Sequence, residues 1–293
     1  MSISIKILGS QPLASVKDIE QIDFCFCGID CFDSYVEKAF TADASAEDWQ
    51  KDKASFLFRK IIDTDTVSIS IYKSGAKVAD VIDNTYGTYY STFEAQPLYV
   101  GFISDWSLIR SAFGTGYYTI RAERTILGQS KPFTSRTYFV LPYSDRQANE
   151  TVRLETYTQG NILSYEFDYQ DLIEGGWYQS IRLAGRFGNV TPTLIEDRLL
   201  NSDRQVVSVQ DSIENEYTLF TRYLPESAKK QLINQQALTT SALVTDYNLL
   251  NDEVIRQLPV VISAFEEVKH AQRGTAYTIK FKDRVNNTIL RTF

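Results

Sequence analysis

Cysteine, histidine and paired carboxylates carry most protein chemistry, and this sequence is sparing with the first two. Cys25, Cys27 and Cys31 stand as C-x-C-x3-C. Thiolates hold zinc when four ligands converge, commonly from C-x2–4-C pairs. Here the spacing is wrong and a fourth ligand is missing. The alternation Asp23-Phe24-Cys25-Phe26-Cys27 predicts small buried strand residues instead. His270 is the single histidine, within the charged stretch Glu266–Arg273, which reads as an exposed loop. A triad needs a nucleophile and an orienting carboxylate beside such a histidine, and no G-x-S-x-G elbow is present. Gly114-Thr115-Gly116 lacks a third glycine in register and precedes strand-type residues, where a dinucleotide fingerprint requires a helix. The 37 acidic residues make carboxylate pairs plentiful without singling one out. The expectation is a protein with no catalytic residues, no metal and no cofactor, and not an enzyme.

Two residue classes remain that act through surfaces. Seventeen Phe, 18 Tyr and three Trp make the chain 13% aromatic. Aromatic rings fill β cores, and exposed ones stack on sugars or anchor interfaces. A stacking platform would draw on Trp106, Trp177, Tyr89 and Tyr90. Arg182, Arg186, Arg198 and Arg204 cluster along the chain as ordinary ion-pair partners, or as clamps on a neighbouring subunit's carboxylates. The net charge of −7 argues against a surface that coats nucleic acid. Residues 1–55 hold ten acidic and five basic side chains, which read as a solvated acidic face. No apolar run approaches the roughly 18 residues of a membrane span, and the N-terminus lacks the pattern of a secretory leader, so reduced cysteines in a cytoplasm are expected.

The elements that would position these residues are mainly strands. Val67, Ile69 and Ile71 alternate with Ser68 and Ser70, Ser74-Gly75 supplies a turn, and Val78 and Val81 follow, which predicts a hairpin. Asp105-Trp106-Ser107 before Leu108, Ile109 and Ala112 predicts a short capped helical turn. Further strands are expected at Tyr117–Ala122, Tyr138–Leu141, Val152–Tyr157, Leu163–Phe167, Tyr178–Leu183, Val206–Val209, Glu216–Thr221, Ala242–Asp246, Val254–Ser263 and Ala276–Lys282. Gly185–Gly188 reads as a turn and Pro225–Gln236 as a helix. Helical spacing is also plausible at Ser34–Phe40 and Ala46–Gln50. Pro259 points to an edge strand or a bulge. The fold class is therefore mainly β, as two sandwich- or barrel-like domains, the second with a flanking helix. The expected divisions are an acidic segment 1–55, a β domain 56–172 and a β domain 173–293.

Several short motifs carry a resemblance: Thr64–Ile69, Lys77–Asp80, Asn84–Gly87, Gly101–Trp106 and Phe113–Tyr118. Over roughly residues 60–170 they resemble virion proteins of tailed phages that infect Bacteroidetes, crAss-like phages included. The block from Tyr217 to Asp283 is similar in element order to the tail-tube and tail-hub fold. The resemblance implies an architectural subunit of a tail or neck, without catalytic residues. Copies would join sheet edges into a ring around the DNA channel, beside other tail proteins. It implies a virion location, assembly in the host bacterial cytoplasm, no membrane, and DNA passing without specific binding. Duplex DNA carries one negative charge per ~1.7 Å, so the lumen should not be basic. The contacts expected to join subunits are the hairpin residues Val67, Ile69, Ile71, Val78 and Val81, the strand at Pro259 and Val260, and Arg182 and Arg186. The alternative is a carbohydrate- or receptor-binding β module that uses the aromatic platform.

Overall fold

The structure is a computed structural model. It describes residues 20–21, 37–41, 52–60, 66–93, 99–126, 129–142, 145, 148, 150–158, 177–188, 190–200, 206–222, 224, 242–248, 256–270, 274–283 and 287–290. In chain order the first strands are β1 (Glu20–Gln21), β2 (Glu37–Thr41), β3 (Lys53–Arg59), β4 (Thr66–Lys73), β5 (Ala76–Val81), β6 (Gly87–Tyr90) and β7 (Tyr99–Asp105). Helix α1 (Trp106–Phe113) follows, then β8 (Gly116–Ile126), β9 (Gln129–Thr134) and β10 (Tyr138–Pro142). The remaining strands are β11 (Thr151–Thr158), β12 (Trp177–Phe187), β13 (Thr191–Leu200), β14 (Val206–Thr221), β15 (Ala242–Asp246), β16 (Arg256–His270), β17 (Gly274–Asp283) and β18 (Asn287–Leu290).

The first ten strands form a sandwich. One sheet has the order β1-β3-β7-β6, and the other β2-β10-β8-β4-β5 with β9 also on β8. Their inner faces meet in one core. Phe56, Phe58 and Phe102 come from the first sheet, and Val67, Ile69, Ile71, Tyr118, Ile120 and Tyr138 from the second. Phe56 meets Tyr138 edge-on at 6.1 Å. The alternation Val67, Ile69, Ile71 places those side chains inward, as the period of two demands. The β4–β5 hairpin turns at Ser74 (φ 50°) and Gly75 (φ 85°), and positive φ at both central residues suits the twist of the strands. Helix α1 starts where expected and runs two turns. The Asp105 carboxylate accepts from the backbone N–H groups of Ser107 and Leu108 at 2.9 and 3.3 Å. At its other end the Lys73 ammonium donates to the Phe113 carbonyl, a cation where the helix dipole favours one.

The other eight strands form a barrel with an extension. The sheet runs β12-β11-β15-β16-β17-β14-β13, and β12 also pairs with β14. Six antiparallel strands therefore close on themselves. Their inward positions are Val152 and Leu154, Ile181 and Leu183, Tyr217 and Leu219, Ala242 and Val244, Val260, and Tyr277, Ile279 and Phe281. A six-stranded barrel is narrow, and these side chains fill it. Closure depends on Gly185, which faces Thr221 across the seam. A Cβ there would lie 2.5 Å from the Phe220 carbonyl oxygen.

Several expectations need correction. Gly185–Phe187 is strand, not turn, because it forms the barrel seam. The two strands expected at Val206–Val209 and Glu216–Thr221 are one, β14. Residues 37–41 form β2, a strand that pairs in parallel with β10, where helical spacing was expected. His270 ends β16 opposite Gly274 rather than sitting in a loop. β16 is an interior strand, not an edge: β15 pairs with Arg256–Val260 and β17 with Val260–His270. Pro259 is the register partner of Leu243 on β15 and lies one residue before the β17 pairing begins, and the bulge falls later, at Ile262/Ala264. Sheet membership changes between β10 and β11, because Thr151–Thr158 pairs with β12 and β15. The expected helices at 225–236 and 46–50, the strand at 163–167 and all three cysteines lie outside the described residues.

Candidate interaction surfaces and the buried junction

Closing a barrel removes its edges, so unpaired backbone must be sought beyond the ring. It lies on the extension. Residues 206–215 of β14 run past the barrel wall, paired with β13 along their length and with β18 at Gln210–Ile213. Ten strand residues span about 33 Å, so β13, β14 and β18 make a three-stranded arm. Two polar links fix its root to β17: Lys282 donates to Glu214 at 2.8 Å and Asn215 to Asp283 at 2.7 Å. β13 is the outer strand, exposed from Thr191 to Leu194. Leu194 and Ile213 are register partners, 57% and 46% exposed, an apolar pair with no cover among the described residues. Pro192, which cannot donate to a ladder, sits at the start of this edge, a common guard on exposed strands. In the sandwich β5 is one of the strands at a sheet end, with β1, β6 and β2 at the others.

The residues expected to join subunits distribute differently. Val67, Ile69, Ile71 and Val81 are buried in the sandwich core, and Val78 packs against it. Val260 is inside the barrel, and Pro259 is exposed. Buried side chains meet no neighbour, so what the hairpin offers outward is the backbone of β5. Trp106 is 1% exposed, with its ring 4.8 Å from that of Tyr138, which removes it from any stacking platform. Tyr89 and Tyr90 are half-buried, and Tyr90 stacks on Phe93 at 5.0 Å. Trp177 lies in β12 and its side chain is outside the description. Two rings are exposed among the described residues, Phe220 and Tyr117, and sequence reasoning named neither for the platform; Tyr117 stacks on Phe139 at 4.4 Å and 14°.

Arg186 is exposed, but Arg182 is not. Its guanidinium is buried at the junction of the two units and clamps a carboxylate of its own chain, not a neighbour's. Arg182 donates through Nε to Asp52 Oδ2 at 2.6 Å and through a terminal nitrogen to Oδ1 at 2.5 Å, the bidentate geometry that arginine favours. Its other terminal nitrogen donates to Thr151 Oγ1 at 2.8 Å. Arg153 donates to Asp52 Oδ1 at 2.8 Å and to Glu155 Oε2 at 3.0 Å, and the Tyr178 hydroxyl donates to Glu155 Oε1 at 2.9 Å. The Arg182 guanidinium lies 4.0 Å from the ring centre of Tyr247. Burial alone would lower the pKa of both arginines; Tyr247, Asp52 and Glu155 around Arg153, and Asp52 and Tyr247 around Arg182, more than offset it and hold both pKa values above the usual range. Burial, then Glu155, pushes the Tyr178 phenol well up, so it stays a donor. Two cations and two carboxylates balance in this cluster. Among the described residues no group of three His, Cys, Asp or Glu side chains could hold a metal ion. No described helix is long and apolar enough to cross a membrane.

No family model matches the chain, and no curated protein matches it. Among solved structures, one similar chain comes from the tail of an empty GTA particle with C6 symmetry. The two are 10% identical with a TM-score of 0.22, over 37% of this chain and 84% of that one.

Proposed function

We propose that this chain is a structural subunit of a phage tail or neck that joins copies of itself, and neighbouring tail proteins, through sheet edges. The observation that carries the reading is the arm: a closed barrel extended by three strands, with an open outer edge and an exposed apolar pair. Unpaired edges continue a sheet into another chain, and a head-to-tail contact repeated with rotation closes a ring. The sequence resemblance to tailed-phage virion proteins supports the same reading, and the net charge of −7 suits a ring through which DNA slides without sticking. Light scattering and negative-stain imaging of the concentrated protein test it. Rings or defined multimers are expected, and Leu194→Lys is expected to weaken assembly about tenfold or more with the strand content unchanged. A protein that stays monomeric at high concentration and is missing from purified particles overturns it.

A glycan-binding module is the second reading, favoured by the exposed Tyr117 stacked on Phe139. Binding on a glycan array that Tyr117→Ala abolishes would support it.

A further inference from the structure

We propose that the β5 edge is a self-recognition surface whose partner is β5 of a second copy of this chain, paired antiparallel about a twofold axis at Ala79. β5 ends its sheet, and among the described residues no strand lies beyond it. Across the hairpin Ala79 pairs with Ile71 and Lys77 with Tyr72, so Val78 is an extra residue. That bulge brings Lys77 to the face that carries Asp80. The two side chains are half exposed and 2.6 Å apart. Both contacts of the Asp80 carboxylate, from Lys77 and from the Ser70 hydroxyl at 2.7 Å, fall on Oδ1, which leaves Oδ2 for a second cation. Ile82, just past the strand, is 78% exposed.

A strand edge that meets its own copy antiparallel sets residues of one face opposite each other. With Val78 bulged in both copies, the axis at Ala79 sets Lys77 opposite the partner's Asp80, and symmetry repeats the pair. Ala76 then lies opposite the partner's Val81, and Ile82 opposite the partner's Gly75. Nothing stands within 4 Å of where a Cβ on Gly75 would lie, so Ile82 has room there. Moving the axis to Lys77 or to Asp80 sets that residue against its own copy, and like charges directly opposite repel. Charge therefore selects one register. A bulge and a mid-edge lysine turn away a flat foreign strand, whereas a copy with the matching bulge and the opposite charge in place is admitted. The contact is isologous, so it pairs chains two by two, and it rests neither on the tail reading nor on the arm. A six-residue strand is well below the roughly 20–30 residues a side of a stable interface, so the pair forms at high concentration.

The test follows hydrogen exchange of the full chain from dilute to near-millimolar protein. In the parent, amide protection across residues 76–82 should rise with concentration. Lys77→Glu, which sets two carboxylates against each other on both sides of the axis, should move the midpoint of that rise about tenfold higher. Lys77→Glu/Asp80→Lys puts opposite charges back across the axis and should return the midpoint to near the parent's. Both changes fall on an exposed ion pair of the folded chain, so strand content should stay as in the parent. Protection of residues 76–82 that does not respond to concentration overturns the proposal, and so does a double variant as weak as the single one. Association with new protection confined to residues 191–194 leaves the arm reading standing and removes this one.

Discussion

The sandwich and the barrel are both antiparallel β units, yet they solve burial differently. The sandwich spends rings. Phe56, Phe58, Phe102, Trp106, Tyr118 and Tyr138 span the gap between its sheets, with Tyr86, Phe113 and Phe133 packed at its rim. Two facing sheets stand about 10 Å apart, a distance that large flat side chains fill. The Tyr118 hydroxyl donates to the Gly114 carbonyl at 2.5 Å, and burial pushes its pKa up to about 12. The barrel has less room. On β11, β12 and β15 it uses Val152, Leu154, Ile181, Leu183, Ala242 and Val244, with Tyr217 on β14 and Tyr277 and Phe281 on β17 as buried rings and Phe265 of β16 packed against them. It also leaves polar atoms unserved. Gln179 and Thr156 are register partners continuing the inward rows of β12 and β11, 4% and 1% exposed, and neither side chain has a hydrogen-bond partner. The comparison teaches that the high aromatic content serves one unit's width more than it serves a surface.

Four variants break or sharpen this contrast. Trp106→Ala should cost the sandwich about 3–5 kcal/mol, and calorimetry should show the barrel's transition nearly unmoved. A barrel that melts with the sandwich would mean the cores are one thermodynamic body. Gly185→Val should cost about 1–3 kcal/mol or more by driving a side chain into the β14 backbone. Denaturant titration reads it, together with faster amide exchange along the seam. Gln179→Leu combined with Thr156→Val should stabilise the barrel by about 1–3 kcal/mol, since buried polar atoms without partners are replaced by apolar ones; a lower melting temperature would refute that account. Asp105→Ala removes the cap of α1 and should cost about 1 kcal/mol, seen as a small fall in the sandwich midpoint alone.

Local signals were legible wherever a few neighbouring residues decide the outcome. The Ser74-Gly75 turn, the Asp105 cap and the strand Ala242–Asp246 stand where the sequence predicts them. Partnerships across the chain were not. Alternation in Thr151–Thr156 says that Arg153 and Glu155 share a face, but not that Asp52 and β3 will cover it. Arg182 therefore reads as an exposed ion-pair partner when it is buried, and Arg153, buried beside it, is not singled out by the sequence. Gly185 looks like a turn because sequence shows a missing Cβ without showing the backbone that needs the space. The arm's open edge has no signature of its own, since Thr191–Leu200 lacks the alternation of a strand, with Leu194-Ile195 and Leu199-Leu200 adjacent, and only the closed ring beside it makes its outer side free.

The parallel pairing of β2 with β10 brings Glu37 beside Tyr138, so a strand made early waits for one made about a hundred residues later. On the ribosome β2 emerges with nothing to dock against, while β3 to β8 are free to pair among themselves. The six-stranded sheet then gains its outermost member last. A chain interrupted before residue 138 would display a bare β8 flank, inviting a foreign strand into β10's place.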